Sequence, residues 1–145
     1  MNILILTYQG DIAGSTNSIS YLAKGLSEKG HNVYVGCRRE SLLYSLLENT
    51  NVNLVEMTFK SKLDFQNIRH INEVVKKHNI DIINAQSSKD RYTAIFSKIF
   101  YKFKSKIVHT RRQTPKSSGF FIQNWLYNTF TDMFVAVSDE VKEEL

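Results

Sequence analysis

Short apolar runs alternate with amphipathic stretches along almost the whole chain. The amphipathic stretches show the i, i+3, i+4, i+7 spacing of a helix with one buried face, as at Ile19, Leu22, Ala23 and Leu26. The apolar runs predict strands at residues 2–8, 32–37, 51–57, 81–86, 105–110 and 133–138. Helices are predicted at residues 19–30, 41–49, 91–103 and 120–130, from about residue 64, and from residue 139 after a Ser138 cap.

This alternation predicts the fold class. Strands separated by helices form right-handed βαβ units and therefore a parallel sheet. The strands are mostly continuous apolar runs, which is typical of strands covered on both faces. We expect one α/β domain over residues 1–145, a doubly wound, Rossmann-like sheet in three α/β/α layers. Ligands of such sheets bind beyond the carboxyl ends of the strands, so candidate residues are sought there.

Composition excludes several classes of protein. No apolar run approaches the ~20 residues of a membrane span, and the first residues lack the pattern of a signal peptide. The single cysteine, Cys37, excludes an internal disulfide and a cysteine-rich zinc site. We therefore expect a cytoplasmic protein, and no ligand cluster with useful spacing predicts a metal.

Charge is unevenly distributed. Residues 91–131 contain eight Lys or Arg and no acid, which indicates an anionic partner or surface. Within this segment Lys98, Lys102, Lys104 and Lys106 alternate with Phe100, Tyr101 and Phe103. This pattern suits either a patch on the inner face of an anionic membrane or a helix end with solvated lysines. Nucleic acid is not expected, since no known binding module accompanies the charge.

The loop after the first strand carries Gly10 and Gly14 and leads into a helix, whose first amides favour an anion. The dinucleotide pattern G-x-G-x-x-G is not met, and the P-loop G-K-[ST] is absent. Arg38 and Arg39, after the second strand, could suit the 2′-phosphate of NADP. An NADP-dependent oxidoreductase, a non-catalytic sugar or phosphate binding module and a plain βα turn therefore stay open at this point.

Four segments together resemble family 4 retaining glycosyltransferases. The segment "GDIAGSTNSISYLAKGLSEKGHNVYVG" is similar to the family's opening, with its glycine loop and "GH-x-V" helix end. "DIINAQSSKDRYTA" resembles the fourth-strand motif D-(V/I)-(V/I)-H-A-H-S, with Asn84 and Gln86 in place of histidines. "VHTRRQTP" resembles the fifth-strand segment, and "FVAVSDEVKEEL" resembles the "A-V-S-(E/D)" signature.

The resemblance implies a function. Members have the two-Rossmann-domain (GT-B) fold, and this chain corresponds to the N-terminal, acceptor-side domain, without the C-terminal nucleotide-sugar domain. The implied partners are a nucleotide-sugar donor, which is a substrate and not a cofactor, and a polysaccharide, lipopolysaccharide or lipid-linked saccharide acceptor. Transfer in the family is thought to be front-face, with the leaving phosphate helping to deprotonate the acceptor.

The resemblance and the positions of residues at strand ends nominate site residues. His109 is the catalytic candidate, since it corresponds to a histidine that the family often has beside the reacting sugar. The donor-phosphate loop comprises Gly10, Ala13, Gly14 and Ser15, with Ala13 where many members have glycine. The acceptor-binding candidates are Tyr8, Gln86, Ser87, Ser88, Lys89, Arg111 and Arg112.

Overall fold

The predicted fold class is confirmed. The computed structural model describes residues 1–11, 13–61, 63–111, 125 and 128–137. In this part of the chain, six parallel strands form one sheet in the order β3-β2-β1-β4-β5-β6. The strands are β1 (Asn2–Leu6), β2 (Asn32–Cys37), β3 (Asn53–Glu56), β4 (Ile82–Ala85), β5 (Lys106–Arg111) and β6 (Met133–Ala136). The helices are α1 (Ala13–Glu28), α2 (Leu42–Leu47), α3 (Phe65–His78) and α4 (Ser88–Tyr101).

Helices cover both faces of the sheet. Alternate residues of β1 point to opposite faces, so each set of side chains packs beneath a different pair of helices. Leu4 and Leu6 belong to the apolar core beneath α3 and α4. Ile3 and Ile5 belong to a second core beneath α1 and α2. All four side chains are buried, which explains the continuous apolar pattern of this strand.

Side-chain caps fix where two helices begin. Asp64 caps α3 as predicted, and its carboxylate accepts from the Asn67 amide at 3.2 Å. Ser87 caps α4, so this helix begins at Ser88, three residues before the predicted start. The predicted helix at 120–130 lies mostly outside the described residues, and the helix from 139 lies entirely outside them.

The order of the strands places the functional edge. The chain leaves β1 toward β2 on one side, and β4 pairs with β1 on the other side. The carboxyl ends of β1 and β4 therefore meet at a switch point, where ligands of such folds bind. In the described ranges, every helix is too short or too polar to cross a bilayer.

Candidate functional site

A cleft opens at the carboxyl ends of β1, β2 and β3. Its volume is about 430 Å³. The lining residues follow three different strands and are Tyr8, Gln9, Gly10, Asp11, Arg38, Thr58 and Phe59. They offer a carboxylate, a guanidinium, a hydroxyl, an amide and an aromatic ring within one space. This mixture of hydrogen-bonding groups and an aromatic ring suits a polyhydroxylated ligand such as a sugar.

Two arginines after β2 are paired with carboxylates. Arg38 forms an ion pair with Asp11 across the cleft and lies 3.4 Å from Glu40. Arg39 pairs with Glu56 at 2.9 Å. The Asp11 carboxylate also accepts from the Leu42 amide at 3.2 Å, which ties it to α2. These are the residues that the NADP hypothesis needs for a 2′-phosphate, and their carboxylate partners disfavour that use.

The two glycines of the β1–α1 loop have different surroundings. A Cβ on Gly10 would lie 2.6 Å from the Ser41 Cβ, so this glycine is required for close packing against α2. Gly14 lies in the first turn of α1, and no described heavy atom comes within 4 Å of a Cβ placed there. Ser15 follows it in the same turn. Ala13 is the first residue of α1, one residue before Gly14. The space around Gly14 leaves room for a ligand at the start of the helix.

Tyr8 is held in the cleft wall by the first turn of α4. Its amide donates to the Asp90 carboxylate at 2.8 Å, and the Ser87 hydroxyl donates to the other oxygen at 2.7 Å. The Lys89 ammonium lies 4.5 Å from the centre of the Tyr8 ring. The Gln9 side-chain amide donates to the Tyr8 hydroxyl at 3.2 Å. Three contacts therefore hold Tyr8 in place, and Ser87 in turn holds the Asp90 carboxylate.

Asp90 is the buried centre of this support. Its side chain is fully buried, and burial raises its pKa to about 7, although the hydrogen bonds from Ser87 and Tyr8 oppose this rise. Asp90 therefore titrates near neutral pH while it holds the cleft wall. Its position shortly after β4 predicts a place on the rim of the cleft, whereas the structure buries it beneath the cleft wall.

The loop after β3 forms the opposite wall. The amide and hydroxyl of Thr58 donate to Asn67 and Asp64 at 3.3 and 3.2 Å, so the first turn of α3 holds the loop. Phe59 has a φ of 47°, which is uncommon for a non-glycine residue, and its side chain is buried in the core. The packing of the ring and the bonds from α3 maintain this conformation.

His109 lies at the carboxyl end of β5 but below the surface. Its Nδ1 is 3.1 Å from the Ala85 carbonyl oxygen, which can only accept, so Nδ1 carries the hydrogen. Burial, together with the charges of Arg91 and Arg111, lowers its pKa to about 3, although the hydrogen bond to Ala85 opposes this fall. The imidazole is therefore neutral at pH 7, with the Nε2 lone pair as its remaining acceptor. Phe134 packs edge-on against it, with ring centres 6.1 Å apart.

The acceptor-binding candidates divide between surface and interior. Gln86 is buried, and its amide donates to Asn84 and Thr110, at 3.0 and 3.4 Å. The side chain of this acceptor-binding candidate therefore completes a polar network beneath the edge of the sheet. Ser87 is engaged with Asp90, as described above. Tyr8 and Lys89 lie together at the cleft, Ser88 is exposed, Arg111 is half-buried and Arg112 lies outside the described residues.

A family model described as Glycosyltransferase Family 4 matches residues 12–145. A glycosyltransferase from Rickettsia africae ESF-5 is 23% identical with a TM-score of 0.74, over 98% of this chain and 38% of that one. HepE of Anabaena is 18% identical with a TM-score of 0.76, over 99% of this chain and 40% of that one. The lipopolysaccharide outer core galactosyltransferase WaaB is 16% identical with a TM-score of 0.67, over 99% and 41%.

The chain thus spans about 40% of the length of the solved structures that it matches. At these identities the likeness supports the fold alone. No curated protein sequence matches the chain.

Proposed function

This chain belongs to glycosyltransferase family 4, and we propose that it is the acceptor-side domain of a retaining enzyme. The enzyme would move a sugar from a nucleotide-sugar to a polysaccharide, a lipopolysaccharide or a lipid-linked saccharide. We further propose that a second domain supplies most of the contacts to the donor, and that transfer takes place in the cytoplasm. The proposed reaction needs no cofactor, and the nucleotide-sugar is its substrate.

The observation that carries this proposal is the cleft at the ends of β1, β2 and β3. In a family 4 domain, a cleft beside the switch point that combines Asp11, Arg38 and Thr58 with an aromatic wall suits a saccharide acceptor. Carboxylate and guanidinium groups can each form two hydrogen bonds to neighbouring sugar hydroxyls. Tyr8 would offer its ring to the apolar face of a sugar.

Donor binding is proposed at the start of α1. Amides at a helix N-terminus favour phosphate groups, and Gly14 and Ser15 lie in that first turn. HepE has been solved in complex with UDP and with UDP-glucose, which supports a nucleotide-sugar donor here. WaaB acts on lipopolysaccharide outer core, which supports an acceptor of the cell envelope.

The proposed reaction breaks the bond between the anomeric carbon and the donor phosphate oxygen. It forms a bond from the same carbon, on the same face, to an acceptor hydroxyl oxygen, whose proton passes to the departing phosphate. In this reaction His109 would act as a neutral hydrogen-bond acceptor through Nε2, because its lowered pKa excludes it as an acid near pH 7. The task of the domain is then to position the acceptor.

Arg38 and Arg39 provide a matched test of the cleft. With ¹⁵N-labelled chain and a panel of methyl glycosides, amide shifts should concentrate on residues 8–11, 38 and 58. Arg38→Gln should lower the affinity for the best-binding glycoside about tenfold, which is about 1.4 kcal/mol, since it removes a charged hydrogen-bond donor. Arg39→Gln should stay within twofold, because Arg39 faces Glu56 outside the cleft lining. Equal losses in both variants, or shifts confined to residues 87–89 and 111, would contradict acceptor binding in this cleft.

Calorimetry tests the need for a second domain. The 145-residue chain should bind UDP- and GDP-sugars only very weakly, because the first turn of one helix supplies few contacts to a nucleotide. Micromolar affinity for either donor would overturn the two-domain proposal. An NADP titration under the same conditions should show no binding, since Arg38 and Arg39 are paired with carboxylates.

A further inference from the structure

Four large apolar side chains lie exposed at the start of α3 and the end of α4. They are Leu63, Phe65, Phe100 and Tyr101, here called the aromatic surface. Phe65 and Phe100 are 68% and 55% exposed, yet their ring centres are only 6.4 Å apart. The two phenylalanines are 35 positions apart in the sequence and are brought together by the packing of α3 against α4. Exposed apolar groups that gather in this way mark an interaction surface.

Lysines lie beside the Tyr101 end of the aromatic surface. The Lys76 ammonium lies 6.0 Å from the centre of the Tyr101 ring. Lys102 caps the end of α4 directly after Tyr101, and Lys104 follows it, both exposed. The two acids of α3 and its cap are engaged, since Asp64 caps the helix and Glu73 accepts from Arg69 at 2.9 Å. The charge around the aromatic rings is therefore positive.

The structure changes the set of lysines predicted for this patch. Lys98 and Lys106 both contact Asp132, at 3.3 and 2.8 Å, and Lys98 also donates to the Ser105 carbonyl at 3.0 Å. These two lysines stabilise the start of β5 and the approach to β6. Lys102 and Lys104 remain, directly after Tyr101, and Leu63 and Phe65 join them from the two sides of the α3 cap.

We infer that the aromatic surface docks this domain on an anionic lipid bilayer. Aromatic side chains enter the headgroup region, and lysines at the same level are attracted to anionic lipids. The combination of exposed rings with a lysine fringe fits such an interface better than a protein partner, whose contact surface is depleted in lysine. This inference does not rest on the proposed transfer reaction, because docking requires neither donor nor acceptor.

Flotation with the full chain tests the inference. Vesicles of phosphatidylcholine with 40 mol% phosphatidylglycerol should bind the chain at low salt, and vesicles of phosphatidylcholine alone should not. The doubly substituted Phe65→Ser/Phe100→Ser should lower the partition coefficient at least tenfold, and Lys102→Glu/Lys104→Glu at least thirtyfold. Salt at 0.5 M should reduce binding of the original chain by a similar factor, because it screens the lysines.

Matched controls lie on the other face of the sheet. Tyr21 on α1 is 71% exposed, and Tyr21→Ser should leave binding within twofold. Lys24 lies on α1, and Lys29 follows its last residue. The double substitution Lys24→Glu/Lys29→Glu should reduce binding, but the reduction should be less than a third of that caused by Lys102→Glu/Lys104→Glu. All variants should retain the circular dichroism and melting temperature of the original chain, since the substituted side chains do not belong to either core.

Three results would overturn the inference. The first is no binding to anionic vesicles at low salt. The second is an equal loss in the α1 controls, which would indicate general charge attraction. The third is self-association, detected by sedimentation without lipid and abolished by Phe65→Ser/Phe100→Ser, together with no vesicle binding, which would assign the surface to a second copy of the chain.

Discussion

Gly10→Ala is expected to destabilise the chain by about 1–3 kcal/mol, the usual cost of forcing extra atoms into a packed site. The new Cβ would lie 2.6 Å from the Ser41 Cβ and 2.8 Å from its hydroxyl oxygen. Neither atom can retreat easily, because Ser41 caps α2 and its hydroxyl donates to the Arg38 carbonyl at 2.6 Å. The loop is also fixed, since the Gly10 carbonyl accepts from the Leu43 amide at 3.0 Å. Displacement of this loop would also move the cleft-lining residues 8–11.

Gly14→Ala is the matched control and should have the opposite sign. The position is helical and open, so alanine should raise the free energy of unfolding by up to about 1 kcal/mol. Urea denaturation of both variants measures the difference. Because the donor phosphate is proposed to bind at the start of α1, the same substitution should also weaken binding of the nucleotide-sugar by the enzyme, while it stabilises the fold. Stability that changes in the same direction in both variants would contradict these roles.

The elements of the fold were predictable because each carries its own local pattern. The strands read as continuous apolar runs, and Asp64 reads as a cap before a helix-periodic stretch. The start of α4 was predicted three residues late, since the polar stretch from Ser87 to Asp90 contains no apolar period. Its cap is visible only from the bond between Ser87 and the Asp90 amide.

The cleft was predictable only in part, because three loops that are distant in the sequence assemble it. Tyr8 was identified from its place after β1. Thr58 and Phe59 follow β3 without any motif, and their role depends on contacts with α3 that no local pattern encodes. Gln86 was predicted as an acceptor-binding residue from its place in the fourth-strand motif, and no local pattern shows that it is buried with hydrogen bonds to Asn84 and, across to β5, to Thr110. Position along a strand therefore predicts the edge of the sheet but not the depth of a side chain.

Asp90 and His109 should give the chain two opposite pH dependences of stability. Burial raises the pKa of Asp90 from 3.8 to about 7. Between these two pH values the folded chain therefore binds more protons at this site than the unfolded chain. This contribution to stability is complete below pH 3.8 and is lost as the pH rises toward 7. Burial lowers the pKa of His109 from 6.5 to about 3, so its contribution is complete above pH 6.5 and is lost as the pH falls toward 3.

Between pH 4.5 and 6 the two groups oppose each other, and single substitutions should separate them. Asp90→Asn keeps an acceptor for the Tyr8 amide and removes one titration. Relative to the original chain, its stability should rise with pH by about 1.4 kcal/mol per unit at most, or about 2 kcal/mol across the range. His109→Asn keeps a donor to the Ala85 carbonyl, and its stability relative to the original chain should fall with pH by a similar amount. In the double variant the two effects cancel, so its stability should follow that of the original chain. Denaturation midpoints in urea at four pH values measure these differences. Parallel curves for Asp90→Asn and the original chain would mean that Asp90 is ionised in the fold, and the cleft wall would then be held by a charged carboxylate throughout this range.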